Sequence, residues 1–223
     1  MSFVTECIQD NLSIWTDCLN SDFLRKLEAG TLDEACFKGY IVDDSLYLRE
    51  YAKVFAWGMT KARDMDDIRA CYSLLAFINE SEGSTRLNYL ENFGLRDETI
   101  QHLPQRPENK AYTDCMMEAA RDGAGIAECM MACLPCMVSY AWIFTELLKR
   151  TPSVKDTLYW PLVRDYTGTQ YESSCRRWIA YTDQLCVDLT PERQQRCKEI
   201  FRACSLHELR FWRMSELPRA DLP

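Results

Sequence analysis

Three thiols, a phenol and a proline lie within one long apolar stretch, residues 129–144. Cys129, Cys133, Cys136 and Tyr140 are spaced four, three and four residues apart, so a helix would place them on one face. Pro135 removes one hydrogen bond of that helix and leaves a carbonyl group free one turn earlier. A helix that only fills a core needs neither feature. We therefore expect a helix that is buried on nearly every side and that lines a pocket.

Cys133 and Cys136 form a C-x-x-C pair, for which several chemical interpretations compete. A redox disulfide of this spacing should follow a strand at the start of a helix, and this context differs. A zinc site would need a second pair of ligands; there is no other C-x-x-C, and His102 and His207 are isolated. A third interpretation is a single nucleophilic thiolate activated by its surroundings. Inert buried thiols remain the alternative to all of these.

Two acidic residues have aromatic neighbours at helical spacing. Tyr40, Asp44, Tyr47 and Tyr51 are four, three and four residues apart, so one helix face presents three phenols around one carboxylate. The functional interpretation is a carboxylate that binds a polar ligand inside an aromatic wall. The structural interpretation is a solvated acid beside core tyrosines.

Glu208 is the second acid, and it follows Ile200 and Cys204 and precedes Phe211 at spacings of four, four and three. On such an apolar face, burial would raise the pKa of a carboxyl group toward neutrality and suit it to acid–base work. His207 is adjacent in sequence, but adjacent residues do not share a helix face. The alternative is a surface glutamate near the end of a helix.

The elements that must position these groups are all predicted to be helices, seven or more in number, because no alternating strand pattern is found. A capping box at Thr31-Leu-Asp-Glu34 predicts the start of a helix that runs to about Ala62. Pro191 marks the start of the last helix. Residues 97–108 are predicted to form a loop and residues 165–168 a turn. With 223 residues and 47% hydrophobic content, we expect one domain spanning residues 1–223.

Charge and composition restrict the functional classes. The formal net charge is -8 and no basic cluster stands out, which disfavours direct binding of nucleic acid. We find no apolar run that approaches the length of a membrane span, and the N-terminus lacks a basic and then apolar signal pattern. The expected location is therefore the cytoplasm. The 12 cysteines are then better explained as small buried hydrophobic residues than as disulfides.

Three segments together resemble one known family. Residues 23–48 resemble the N-terminal signature of TenA-type thiaminase II, which is an aminopyrimidine aminohydrolase. Leu134-Pro-Cys136 with Tyr140 resembles the nucleophile helix of that family, and residues 206–212 resemble its C-terminal acid motif. The resemblance implies an all-α, heme-oxygenase-like multi-helix bundle, usually a homotetramer, with no cofactor and no metal. It also implies hydrolysis of aminomethyl-type aminopyrimidines to hydroxymethylpyrimidine, or cleavage of thiamin, in thiamin salvage.

The resemblance also implies roles for individual residues. Cys136 would be the nucleophile that adds to the pyrimidine ring. Glu208 would bind and protonate a ring nitrogen, and Asp44 would hold the exocyclic amine. The resemblance further implies residues that wall the pocket by stacking or hydrogen bonding: Tyr47, Tyr112, Tyr140, Tyr166 and Phe211.

Two other functional hypotheses remain open. One is a non-catalytic pyrimidine-binding or regulatory protein on the same scaffold, and the other is a helical oxygenase or metal protein, which the poor histidine supply disfavours. The sequence leaves undecided whether thiamin or a degraded aminopyrimidine is the substrate, which group activates water, and what Glu80 and Glu82 do.

Overall fold

The computed structural model describes residues 1–77 and 83–222, and this part of the chain contains helices and no strand. Glu80 and Glu82 lie outside the described residues. A 3-10 turn, Pro152–Asp156, separates the eighth and ninth helices. The α-helices are α1 (Phe3–Leu19), α2 (Asp22–Glu28), α3 (Glu34–Met59), α4 (Met65–Phe77), α5 (Gly83–Asn92), α6 (Asp97–Ile100), α7 (Pro107–Asp122), α8 (Ile126–Arg150), α9 (Trp160–Thr167), α10 (Thr169–Cys186) and α11 (Pro191–Met214).

The helix α8 is the centre of the bundle and packs against α3, α7, α10 and α11. Contrary to the sequence expectation, this helix is long and apolar enough to cross a membrane, with a mean hydropathy of 1.5 over 18 residues. However, 83% of that segment is buried inside the protein. Its apolar character is therefore explained by burial among the other helices.

Two phenols from other helices bind carbonyl groups of α8 on either side of Cys136. The Tyr51 hydroxyl donates to the Cys133 carbonyl at 2.9 Å, and the Tyr171 hydroxyl donates to the Met137 carbonyl at 3.3 Å. The two acceptors lie two residues before and two residues after Pro135. They hold the segment that carries Cys136 against α3 and α10.

A buried ionic network joins three distant parts of the chain. Asp43 is fully buried on α3 and accepts hydrogen bonds from Arg106, at the start of α7, and from Arg219, in the C-terminal segment. The Arg106 Nε–Asp43 Oδ2 distance is 2.8 Å, and the Arg219 Nη1–Asp43 Oδ1 distance is 2.7 Å. Since the charges are paired and hydrogen-bonded, the network fixes the orientation of α3 and with it the position of Asp44.

Three local predictions were wrong. The cap of α3 is Asp33, whose carboxylate accepts from the Ala35 N–H at 2.8 Å, and not Thr31. Residues 97–108 include a short helix, α6, and Pro107 already begins α7 because proline suits the first helical turn. Residues 165–167 belong to α9, so Tyr166 lies on a helix and the chain turns only at Gly168.

Candidate active site

Glu208 lies at the meeting point of three helices. It is 1% exposed, and its Oε1 accepts a hydrogen bond of 2.6 Å from the Tyr112 hydroxyl of α7. The Cys136 side chain of α8 also hydrogen-bonds to the Glu208 carboxyl group. The thiol of α8 and the acid of α11 are thus in direct contact, although 72 residues separate them in the sequence.

Asp44 lies close enough to Glu208 for its charge to raise the pKa of Glu208. It lines a narrow opening, with a cavity volume of about 10 Å³, together with Arg86 and Tyr166. The structure therefore brings both predicted acids and the predicted thiol to one region of the bundle. Each of the three comes from a different helix: α3, α8 and α11.

Burial changes the protonation of both acids. It raises the pKa of Glu208 to about 8, and the neighbouring Asp44 charge adds to this, whereas the hydrogen bonds from Tyr112 and Cys136 oppose it. Burial likewise raises the pKa of Asp44 to about 7; the Arg86 guanidinium opposes this rise and the Asp43 carboxylate adds to it. Near neutrality Glu208 can hold a proton to donate while Asp44 is partly ionised, which suits one acid and one acceptor.

The predicted aromatic residues form two groups of rings, which Tyr40 and Trp212 connect into one wall. The rings of Tyr47 and Tyr112 are 5.1 Å apart, those of Tyr140 and Tyr166 are 5.0 Å apart, and those of Tyr47 and Phe211 are 6.0 Å apart. Burial raises the pKa values of the Tyr47, Tyr112 and Tyr140 phenols well above their usual value, so these phenols stay protonated. Such a wall can hold a flat heterocycle by stacking and can donate hydrogen bonds to it.

The two thiols of the C-x-x-C pair have different environments. Cys136 is partly exposed, whereas Cys133 is buried, and burial together with the Cys129 thiol raises the pKa of Cys133 well above its usual value. The thiolate is the reactive form of cysteine, so Cys133 is held in the unreactive form. Only Cys136 combines access with contact to the acid. Within residues 1–77 and 83–222, no three His, Cys, Asp or Glu side chains are placed to hold a metal ion.

Sequence reasoning did not assign two further residues to this region, Trp212 and Arg86. Trp212 is fully buried, and its ring lies 5.0 Å from that of Tyr140 and 5.5 Å from that of Tyr40. Arg86 reaches the opening from α5 and also donates to Ser45 Oγ at 2.8 Å. The placement of Trp212 beside Phe211 in the sequence was an available signal; for Arg86 there was none, because its role depends on contacts between separate helices.

Known proteins of similar sequence include enzymes and an uncharacterized protein. The chain is 31% identical to an aminopyrimidine aminohydrolase from Helicobacter pylori, with 93% of this chain and 95% of that protein covered. It is 27% identical to an aminopyrimidine aminohydrolase from Bacillus subtilis, covering 96% and 90%. It is also 25% identical to an uncharacterized protein from Haemophilus influenzae, covering 95% and 97%.

Solved structures share the architecture. A TenA family transcription regulator from Silicibacter sp. TM1040 superposes with a TM-score of 0.86 at 23% identity, covering 97% of each chain. A TenA homologue from P. horikoshii OT3 gives a TM-score of 0.83 at 24% identity, covering 96% of this chain and 98% of that one. These matches confirm the predicted all-α, heme-oxygenase-like bundle. The sequence profile of the TENA/THI-4/PQQC family matches residues 8–217, and the chain therefore belongs to this family.

Proposed function

We propose that this protein is a hydrolase of thiamin salvage, an aminopyrimidine aminohydrolase that uses Cys136 as its nucleophile. One observation carries the proposal: the Cys136 side chain contacts a buried acid, Glu208, while a second acid, Asp44, lies beside them at an opening. Membership of the family and the activity of the relatives from H. pylori and B. subtilis support it.

Substrate binding follows from the chemistry of the wall and the two acids. A flat aminopyrimidine stacks among the tyrosines, and its exocyclic amine donates a hydrogen bond to the Asp44 carboxylate. Protonated Glu208 donates to a ring nitrogen. Because an acid at that nitrogen withdraws electrons, it makes the adjacent ring carbon electrophilic.

The reaction then proceeds through a covalent adduct. The Cys136 sulfur forms a bond to the ring carbon, and the ring nitrogen accepts the electron pair and the Glu208 proton. The returning electron pair expels the amine from the aminomethyl carbon, and the amine takes the proton lost by the Cys136 thiol and leaves as ammonia. Water adds its hydroxyl group to that carbon, the C–S bond breaks, the sulfur takes the remaining water proton, and the ring nitrogen returns its proton to Glu208. The net change is replacement of an amino group by a hydroxyl group. Such covalent catalysis divides one difficult substitution into easier steps.

The direct test compares the variants Cys136→Ala and Cys133→Ala. The conversion of aminomethyl- to hydroxymethylpyrimidine is measured by the release of ammonia. We expect Cys136→Ala to lower kcat/KM by at least ~10³-fold, since it removes the group that forms the adduct. Cys133→Ala removes a neighbouring thiol of the same helix and should keep kcat within about threefold of the parent, because that thiol is sealed in packing. Full turnover by Cys136→Ala would reject the proposed nucleophile.

A binding or regulatory role is the second candidate, because the Silicibacter relative is named a transcription regulator. On this hypothesis the same wall binds a pyrimidine without hydrolysing it. The net charge of -8 weighs against direct contact with DNA. Calorimetric binding of hydroxymethylpyrimidine, together with no ammonia release from the aminomethyl compound, would favour this role.

We further propose that residues 1–223 act as a single domain, without a cofactor, in a cytoplasmic homotetramer. The buried network around Asp43 supports the first part, because it ties the C-terminal segment to α3 and α7. Light scattering coupled to gel filtration measures the mass in solution. A monomer at micromolar concentration would reject the tetramer.

A further inference from the structure

A second thiol site lies between α7 and α11, outside the group of Cys136, Asp44 and Glu208. Cys115 of α7 is partly exposed, and it lines a surface pocket of about 130 Å³ with Arg196 of α11. The Cys204 thiol and the His207 ring, both from α11, hydrogen-bond to the Cys115 sulfur. Two thiols and an imidazole therefore meet, and one of the thiols, that of Cys115, lines an open pocket.

The pKa values of the two thiols of this site are shifted in opposite directions. The hydrogen bonds from Cys204 and His207 lower the pKa of Cys115 to about 5, against the effects of burial and of the Glu118 carboxylate. The contact with Cys115 and burial raise the pKa of Cys204 well above its usual value. Cys115 is thus the accessible thiolate and Cys204 the buried thiol beside it. A low-pKa accessible cysteine next to a second thiol is the arrangement of peroxide-sensitive sites.

We propose that Cys115 and Cys204 are an oxidation site for hydroperoxides, which convert the pair into a disulfide that joins α7 to α11. In the first step the Cys115 sulfur attacks one oxygen of hydrogen peroxide and becomes a sulfenic acid, and the other oxygen leaves as hydroxide. In the second step the Cys204 sulfur attacks the sulfenic sulfur, an S–S bond forms, and water departs. The thiols lose two electrons in total and the peroxide gains them.

The position of the disulfide gives it a consequence for the neighbouring helices. Cys115 is three residues after Tyr112 on α7, and Cys204 is four residues before Glu208 on α11. Within each pair, the two residues are about one helical turn apart. Oxidation therefore adds a covalent bond between the two helices beside the Tyr112–Glu208 hydrogen bond. The disulfide forms whether or not the protein hydrolyses aminopyrimidines.

Peptide mass spectrometry tests the proposal on the full-length protein. Trypsin should release residues 111–121 and residues 203–210, and each of these peptides contains one cysteine. After brief treatment with hydrogen peroxide and blocking of free thiols, we expect the two peptides to be linked, with the loss of two hydrogen atoms and reversal by dithiothreitol. Cys115 oxidised to a sulfinic or sulfonic acid while Cys204 stays open to alkylation after unfolding would overturn the proposal.

Two variants separate the two steps. In Cys204→Ser the sulfenic acid has no partner, so dimedone should trap it on residues 111–121. In Cys115→Ser no dimedone adduct should form on residues 203–210, because Cys204 is fully buried. Dimedone labelling of Cys204 in that variant would show that Cys204 is attacked directly and would reject the assignment.

A matched control uses another pair of contacting thiols. Cys186 and Cys197 also touch, but both are fully buried and the pKa of Cys186 is raised. Cys186→Ser should leave the yield of the linked peptides unchanged within about twofold, since contact without an accessible thiolate does not promote oxidation. A loss of linkage in this control would mean that thiols exchange throughout the protein, and the specific site would be rejected.

Discussion

The Tyr112 hydroxyl donates a hydrogen bond of 2.6 Å to Oε1 of Glu208 and joins α7 to α11 inside the core. Because burial raises the pKa of Tyr112 well above its usual value, the phenol keeps its proton and remains the donor. Burial at the same time raises the pKa of Glu208 to about 8, so this acid retains its own proton near neutrality. The pair presents a neutral acid to the region that Cys136 contacts.

The first prediction is a bell-shaped dependence of kcat/KM on pH. Asp44 must be ionised to accept from an amine, so activity should fall as pH decreases through about 7. Glu208 must be protonated to act as an acid, so activity should fall as pH increases through about 8. The two acids interact, and each limb reports the pair rather than one residue. A profile that is flat between these values and beyond them would contradict the assigned roles.

Tyr112→Phe should move the alkaline limb upward. The hydrogen bond from Tyr112 favours the ionised form of Glu208, and its loss raises the pKa of that acid further. We expect a lower maximal kcat/KM, by about tenfold for one lost hydrogen bond, together with the shifted limb. If the alkaline limb does not move, another group than Glu208 is its source.

Arg86→Met should move the acid limb upward, and by more than it moves the alkaline limb. The Arg86 guanidinium lowers the pKa of Asp44, and methionine removes the charge but keeps much of the side-chain length. Arg86 also binds Asp97 at 2.9 Å, so the variant can lose stability. The pH at which the acid limb falls, measured on the folded fraction of the variant, reports the electrostatic effect alone, because a loss of stability lowers the amount of folded protein without moving the limb. An unchanged acid limb would exclude Asp44 as its origin.

Glu208→Gln should remove turnover and stabilise the fold at alkaline pH. The pKa of Glu208 is raised from 4.5 to about 8, so the folded state binds this proton more tightly than the unfolded state. Its contribution to stability is complete below 4.5 and is lost as pH rises through 8. Glutamine carries no charge to bury, and above the upper value we expect a gain of about 2–4 kcal/mol in the free energy of unfolding.

The control for this stability prediction is Glu199→Gln, an exposed acid of the same helix. It should change the free energy of unfolding by less than ~0.5 kcal/mol. Urea unfolding of both variants at neutral and alkaline pH makes the comparison. Equal effects of the two substitutions at alkaline pH would argue against a buried, proton-holding Glu208.

Asp43→Asn should destabilise the protein strongly, because it leaves the charges of Arg106 and Arg219 without their shared partner. Breaking a buried ion pair in this way costs about 3–5 kcal/mol. Asp221→Asn removes the other carboxylate of Arg219, but that side chain is 39% exposed, and the cost should stay below ~1 kcal/mol. Chemical denaturation measures the free energy of unfolding of both variants. Similar losses in the two would show that burial of Asp43 does not determine its contribution to stability.

Local patterns determined much of the architecture in advance. The spacing of apolar residues predicted an all-helical chain, and it placed Asp44, Cys136 and Glu208 on helix faces with aromatic neighbours. This prediction from spacing succeeds because a helix repeats every 3.6 residues, so the helix face on which a side chain lies follows from its position in the sequence. The same reasoning misplaced the α3 cap and the turn at residues 165–168, where the choice between neighbouring polar groups depends on packing.

The amino-acid sequence by itself determined the helices, their buried faces and the three residue types that can do chemistry. Tertiary structure decided that Cys136 rather than Cys133 touches Glu208, that Arg86 stands beside Asp44, and that Asp43 is held by two arginines. It also brought Cys115 to Cys204. The physical reason is that protonation and reactivity depend on desolvation and on charges within a few ångströms, and these neighbours come from helices far apart in the chain.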